Sequence, residues 1–246
     1  SLGVELYSEH EMDLEGPKDV ENKTYEYDEE TNGLELTLGR PLKKDLRLDT
    51  TFAFDKIKRT YNNDSITDEL PENQDYWDNS IGLSLVQDKR EMTNLFYTTD
   101  GYYARIRTSF HGGYLGGEFD YNQYVAEFKQ FYSPLEHTTL AYRVKAGKID
   151  GDTPDELFEL GGPLSLRGYD EEYQRGTDLL LANFEIRQRI PQNTSLELVA
   201  FGDVGSVDFD EYYFSYGLGF RYTVPFLGQL RFDFGWNGED VGNQPQ

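Results

Sequence analysis

The sequence contains no cysteine, only two methionines and only three histidines. Without cysteine there is no disulfide framework and no thiolate metal site. No stretch approaches the ~18 consecutive apolar residues of a transmembrane helix. That absence does not exclude a membrane, because transmembrane strands place apolar residues only at every second position. Basic residues are scarce, 23 against 46 acidic ones, for a net charge of −23. Phosphate backbones need concentrated Lys and Arg, so nucleic acid is excluded as an expected partner. The acidity fits solvated acidic loops together with an acidic surface of the halophilic kind. The chain opens Ser1-Leu2-Gly3-Val4, in strand-like sequence, and is read as a piece of a longer protein. Missing targeting signals therefore carry no information.

Aromatic residues are abundant, with 19 Tyr and 16 Phe, and glycine is plentiful at 24. Flat side chains of this kind pack well on a pleated surface. Alternation with period two recurs along the chain. In 214–224, Phe214, Tyr216, Leu218, Phe220, Tyr222 and Val224 oppose Ser215, Gly217, Gly219, Arg221 and Thr223. In 229–236, Leu230, Phe232, Phe234 and Trp236 oppose Gln229, Arg231, Asp233 and Gly235. Residues 33–42 and 46–54 repeat the pattern, with Leu36 and Leu48 on the apolar faces and Glu35 on a polar one. Further strands are expected at 2–9, 79–88, 102–110, 118–132, 139–149, 177–190 and 195–203, the apolar face of 118–132 being ambiguous. The total is about eleven strands, with no helical period of useful length.

Long polar connections (11–32, 61–77, 150–175, 204–213) alternate with short ones (43–45, 133–138, 191–194, 225–228), while 89–101 is long and 111–117 short for their sides. Long loops at one end and tight turns at the other suit an up-and-down barrel in an outer membrane. A soluble sandwich would also alternate. Its buried and solvated faces, however, do not call for polar faces mixing Glu127, Lys129, Arg143, Lys145, Glu185, Arg187, Arg221 and Arg231, as a hydrated lumen does. Tyr102, Tyr103, Phe131, Tyr132, Tyr212, Tyr213, Phe226 and Trp236 sit at strand ends, where interfacial aromatic girdles lie. The expected fold is an all-β, antiparallel, up-and-down transmembrane β-barrel.

Signatures of chemistry are sparse. His10, His111 and His137 lie in or beside connections, far apart in sequence, and read as solvated loop histidines. No serine occupies a nucleophile elbow. The glycine-rich run 111–117 precedes a strand and reads as a flexible hairpin loop that offers no helix N-terminus to phosphate. The acids of 150–156 lack the spacing of an EF-hand loop. No catalytic residue, metal site or cofactor is expected.

The connection containing Leu160-Gly161-Gly162-Pro163-Leu164-Ser165-Leu166-Arg167-Gly168-Tyr169 is different. It mixes apolar side chains with one arginine, a composition that permits folding back onto the wall. A lumenal Arg167 needs acceptors for its planar fork, and Glu185 and Asp203, on the next two strands, are candidates. An arginine in an exposed surface loop is equally compatible with composition.

Four motifs resemble, in order, those of the outer-membrane protein assembly factors of the BamA and TamA type. Asp88-Lys89-Arg90, followed by 96–102, resembles the family's periplasmic turn, with Thr98 where proline is usual. The run from Gly161-Gly162 to Leu166-Arg167-Gly168-Tyr169 resembles its arginine loop, with Leu166 in place of the commoner valine. Asn183-Phe184-Glu185-Ile186-Arg187 resembles the glutamate strand that follows, and Phe201-Gly202-Asp203-Val204-Gly205 the aspartate strand. The resemblance implies that the arginine loop, with Arg167, Gly168 and Tyr169, folds into the lumen and that Arg167 pairs with Glu185 and Asp203. It implies a parent barrel of about sixteen strands, of which residues 1–246 form one incomplete domain lacking the closing strand and the upstream POTRA domains. It further implies a non-enzymatic factor, without nucleotide or cofactor, in the outer membrane of a diderm bacterium. The implied partners are outer-membrane lipid, unfolded β-barrel substrate proteins and, through upstream domains, accessory assembly proteins. A two-partner secretion transporter, which shares the arginine loop, and a passive porin are the alternatives.

Overall fold

A computed structural model describes residues 1–15, 26–61, 73–92, 97–154, 157–191, 193–224 and 226–238. The strands are β1 (Leu2–Glu15), β2 (Glu26–Lys43), β3 (Leu46–Tyr61), β4 (Gln74–Asp88), β5 (Glu91–Met92), β6 (Thr98–His111), β7 (Tyr121–Leu135), β8 (Thr138–Gly151), β9 (Phe158–Leu160), β10 (Gln174–Gly176), β11 (Asp178–Ile190), β12 (Asn193–Val207), β13 (Tyr213–Val224) and β14 (Gly228–Asn237). Much of the acidic connection 11–32, residues 93–96 of the turn motif, two acids of 150–156 and the chain end after 238 lie outside the described residues.

Eleven strands form one antiparallel wall in the order β1-β2-β3-β4-β6-β7-β8-β11-β12-β13-β14, each paired with its neighbour in sequence once the small strands are set aside. These are the strands expected from the alternation, generally longer at their ends. The additional strands sit within connections: β5 folds back on β6, and β9 pairs with β10 inside the arginine connection. Among the described residues, no ladder joins β1 to β14.

Period two sorts every wall strand into two faces. One face carries Leu218, Phe232, Phe234, Phe184, Ile106 and Leu6, all exposed, and among the described residues no second sheet covers them. Leu36, Leu48 and Phe220 are half-exposed on the same face. A sandwich would bury this face, so the pattern is that of a wall facing lipid. On β7 the outward set is Tyr124, Ala126, Phe128 and Tyr132, and the inward set is Tyr121, Val125, Glu127, Lys129 and Phe131, with Tyr121 and Phe131 buried. That strand was ambiguous in sequence because its inward face has apolar residues at both ends.

The sheet curls around its charged face. Thr223 at the end of β13 bonds the Tyr97 hydroxyl, just before β6, at 2.9 Å. The Arg59 guanidinium on β3 reaches the carbonyl of Pro154 in the arginine connection. The main cluster of buried apolar side chains lies inside this curl. Phe158, Leu160, Leu166 and Tyr169 from the connection pack on Tyr121, Ile149, Leu179, Leu181 and Val207 of the wall. Leu160 and Leu166 are completely buried.

Two readings of the connections change. His10 lies within β1, and His111 ends β6 as a partly buried residue with three polar neighbours. Its Nδ1 is 2.9 Å from Asp78, its Nε2 is 3.1 Å from Ser109, and its ring stacks on Tyr121 at 4.0 Å. The run after His111 forms a 3-10 turn at Gly113–Leu115, where the Gly113 amide donates to the Asp120 carboxylate, so it is a built turn and not a slack loop. Register decides the environment of His111: Tyr121 lies directly opposite, and Asp78 lies beside it on β4.

Candidate functional site: the docked arginine loop

Residues 161–170 lie against the inner face of the wall, and strands from β8 to β14 hold them there. Arg143 on β8 donates to the Leu164 carbonyl at 2.8 Å. Asn183 on β11 donates to the Ser165 carbonyl at 2.8 Å. The Tyr169 hydroxyl donates to the Phe214 carbonyl on β13 at 3.3 Å, and Asn237 on β14 donates to the Gly168 carbonyl at 3.0 Å. Within the loop, the Gly162 amide bonds the Tyr169 carbonyl at 3.1 Å and closes a compact turn. Buried loop backbone must find such partners, since water cannot supply them.

Gly168 has φ +84, a conformation that L side chains rarely adopt. It also touches β14: a Cβ on Gly168 would lie 3.0 Å from the Gly235 carbonyl carbon, and one on Gly235 would lie 2.8 Å from the Gly168 nitrogen. Two glycines face to face let the loop backbone reach the wall, which brings the neighbouring Arg167 down among the inward carboxylates.

Arg167 is 4% exposed. Its Nε and Nη2 donate to the two oxygens of Asp203 at 2.7 and 2.6 Å, the parallel two-bond geometry that suits guanidinium and carboxylate. Its Nη1 donates to Glu185 at 2.7 Å and lies 3.6 Å from Asp233. The guanidinium carbon sits 3.6 Å from the centre of the Phe201 ring, a cation–π contact. Burial works against the charge on this loop residue, but the hydrogen bonds and charges of Asp203, with Glu185 and Asp233, outweigh it and hold its pKa above the ordinary arginine value.

Strand parity assembles the cluster. Asn183 lies opposite both Arg143 and Asp203, and Glu185 lies opposite Phe201. Glu185 also receives Arg187 at 2.7 Å and Arg221 at 2.9 Å. Arg221 is 3.7 Å from Glu197, and Arg231 is 2.5 Å from Asp233. On the inner face of β11–β14, Arg187, Arg189, Arg221 and Arg231 thus stand among Glu185, Glu197, Asp203 and Asp233, four of each sign, and the docked Arg167 adds a fifth cation. Buried charges need such pairing.

The structure therefore brings Arg167 together with Glu185 and Asp203, and places Gly168 and Tyr169 in the contacts that dock the loop. Sequence reasoning did not name Asp233, Phe201 or Arg221 as parts of the cluster. The signal that could have found them is parity: all three lie on the inward face of strands following the loop. Among the described residues, no group of three or more His, Asp or Glu side chains is placed to hold a metal ion.

An antiparallel wall with an apolar outer face, a charged inner face and a loop folded into its curl defines an outer-membrane β-barrel protein. Residues 1–246 match the Omp85 superfamily domain along their whole length, and the chain belongs to that superfamily. Over 162 residues it is 31% identical to outer membrane protein assembly factor BamA of Nitratidesulfovibrio vulgaris, covering 56% of this chain and 20% of that protein. Its fold is similar to the crystal structure of BamA from Haemophilus ducreyi lacking POTRA domains 1–3, with TM-score 0.78, 15% identity, and coverage of 100% of this chain and 57% of that one. It is also similar to CdiB from Acinetobacter baumannii, with TM-score 0.62, 14% identity and coverage of 96% and 43%. CdiB from Escherichia coli gives 0.60, 15%, 96% and 45%. The chain spans one fifth of the length of the BamA relative. Its place is the outer membrane of a Gram-negative bacterium.

Proposed function

We propose that this chain is wall and loop of a barrel that assists the folding and insertion of other β-barrel proteins into the outer membrane. The observation that carries the reading is the 31% identity to an assembly factor. The docked arginine loop supports it less specifically, because both assembly and transport barrels of the family resemble this chain in fold. In this reading the parent barrel parts between its first and last strands. Unpaired backbone N–H and C=O groups at that seam then template an incoming strand. No cofactor or nucleotide takes part. Arg167, with Glu185 and Asp203, serves as a brace: it ties the loop to β11, β12 and β14 so that one part of the wall stays rigid while the seam moves. Residues 1–246 form one incomplete barrel domain, working with POTRA domains and accessory proteins bound through them.

The test is reconstitution of the full-length protein containing this chain in liposomes, with an unfolded barrel protein presented from outside. The expected result is faster appearance of heat-modifiable, protease-protected substrate than in empty liposomes. Insertion at the rate of empty liposomes overturns the reading. The fold likeness to CdiB favours a second reading, a two-partner secretion transporter that passes an unfolded chain through its lumen. The same assay separates the two, since a transported chain ends in the aqueous interior and an inserted one ends in the bilayer.

A further inference from the structure

Charge on the inner face is segregated by strand. On the strands β11–β14 it balances, with the docked Arg167 adding one positive charge. On β1–β4 acids prevail, with Glu5, Glu35, Asp49, Asp55 and Asp78 on the lumenal parity. On β6–β8 the sign reverses: Arg105, Arg107, Lys129, Arg143 and Lys145 share the inner face with one acid, Glu127. In a chain of net charge −23 this is an unexpected concentration of positive charge.

The single acid is already engaged. Glu127 holds Arg143 at 2.6 Å and Lys129 at 3.2 Å. Arg105 and Lys145 stand on either side of Glu127 in register. Arg105 donates only to the Ser84 hydroxyl, at 3.2 Å, and neither it, Arg107 nor Lys145 has an ion-pair partner among the described residues. All three are half-buried, held against the wall yet open to the lumen. Next to them lies a cavity of about 290 Å³, lined by Lys129, Arg143, Arg167, Arg187, Arg221 and Arg231 with Glu185 as its acid. One carboxylate, already bonded to Arg143 and Lys129, stands among five cations on this face; the excess positive charges repel one another, and a bound anion relieves that repulsion.

We propose that the inner face of β6–β8 is a binding platform for an acidic polypeptide segment in extended conformation, engaged by Arg105, Arg107 and Lys145. The face is turned away from the bilayer, so a lipid headgroup anchored in a leaflet does not reach it. Spacing favours an extended chain. Arg105 and Arg107, like Arg143 and Lys145, are two residues apart on their strands, hence about 7 Å apart along the wall. Alternate side chains of an extended acidic segment have the same repeat. The inference rests on the polypeptide-handling function proposed above and adds to it the charge of the segment the lumen accepts.

The experiment uses the full-length protein in detergent and a fluorescent peptide with glutamate at alternate positions, read by anisotropy. Expected are saturable binding, weakening as salt screens the charges, and an affinity at least about tenfold lower in the triple variant Arg105→Gln, Arg107→Gln, Lys145→Gln. The same peptide with glutamine for glutamate should not bind. Thermal unfolding of the triple variant establishes that it is folded, and Arg107→Gln alone serves if it is not. Equal binding of the glutamine peptide, undiminished binding by the folded variants, or displacement by inorganic phosphate at the peptide's own concentration each overturns the proposal. The last would mark a site for small oxyanions. Failure here, with barrel insertion into liposomes intact, removes this inference and leaves the assembly reading standing. Loss of insertion with peptide binding intact does the reverse.

Discussion

Arg167 and Asp203 meet through three hydrogen bonds: two from the guanidinium, at 2.7 and 2.6 Å, and one from the Arg167 backbone amide, at 3.3 Å. A side chain and its own backbone thus converge on one carboxylate whose side chain is fully buried. This fixes the position of the loop as well as its charge. Replacing Arg167 by alanine leaves Asp203, Glu185 and Asp233 as buried acids with one cation fewer. Breaking a buried pair in this way costs about 3–5 kcal/mol. The Arg167→Ala protein should therefore melt at lower temperature, and its loop should become cleavable by protease. Arg167→Lys should recover little, because an ammonium cannot form the parallel pair of bonds. Near-complete rescue by lysine would show that charge alone holds the loop.

Gly168 and Gly235 test docking independently of charge. A methyl group on Gly235 would stand 2.8 Å from the Gly168 nitrogen and 2.9 Å from its Cα, both backbone atoms that cannot rotate away. Gly235→Ala should therefore lift the loop and lengthen the Arg167–Asp203 contact while the β13–β14 ladder persists. The expected outcome is a protease-sensitive loop in a protein that still migrates as a folded, heat-modifiable barrel. A loop as resistant as in the parent would mean that β14 yields instead.

Much of this was legible in the chain. Each strand of the wall announces itself because one face must suit lipid and the other water, and a period of two is the only pattern that does both. The pairing of Arg167 with Glu185 and Asp203 was implied by the family resemblance of the ordered motifs; composition alone left an exposed arginine equally open, because Asn183 and Asp203 become neighbours only through register. What was hidden follows from the same physics. Tyr121 and Phe131 are inward aromatics that blur the alternation of β7: Tyr121 packs against Phe158 and Leu160 of the arginine connection, and the Arg187 guanidinium lies over the Phe131 ring. Loop 161–170 supplies its own apolar residues to the inside of the curl, and the cluster around Leu160 and Leu166 has no counterpart in an empty pore. His111 looked like a loop residue because the ladder that surrounds it with Asp78, Ser109 and Tyr121 spans three strands, and their register is not written in the local sequence.

The outer face makes a depth-dependent prediction. Leu218 and Phe232 are outward and exposed, and Phe220 and Phe232 stack with ring centres 4.8 Å apart. Arginine on the lipid face near the bilayer midplane costs about 2–4 kcal/mol. Leu218→Arg and Phe232→Arg should each lower thermal stability in lipid vesicles by that order. Thr51→Lys, on the inner face, should change it by far less. Equal effects on both faces would contradict the assignment of inside and outside.

Acid should first tighten the loop. Glu159 on β9 lies outside the wall strands, in the hairpin with β10. Its side chain is about half exposed, and its carboxyl pKa is raised above the ordinary 4.5 by partial desolvation first, then by the charges of Glu172, Glu11 and Glu171, with Arg175 opposing. Arg175, its cross-strand neighbour, is 3.9 Å away, too far for a close pair. A raised carboxylate pKa means that the folded hairpin binds a proton more readily than the unfolded one. Between 4.5 and the raised value, stability therefore increases as pH falls, and that gain is lost as pH climbs back through the raised value. Hydrogen exchange of the β9 and β10 amides, corrected for the intrinsic pH dependence of exchange, should show greater protection at about pH 5 than at about pH 7. Glu159→Gln should remove the difference and hold the hairpin in its low-pH protection at both values. Protection that falls on acidification in the parent would show that Arg175 dominates Glu159 and that the surrounding glutamates do not.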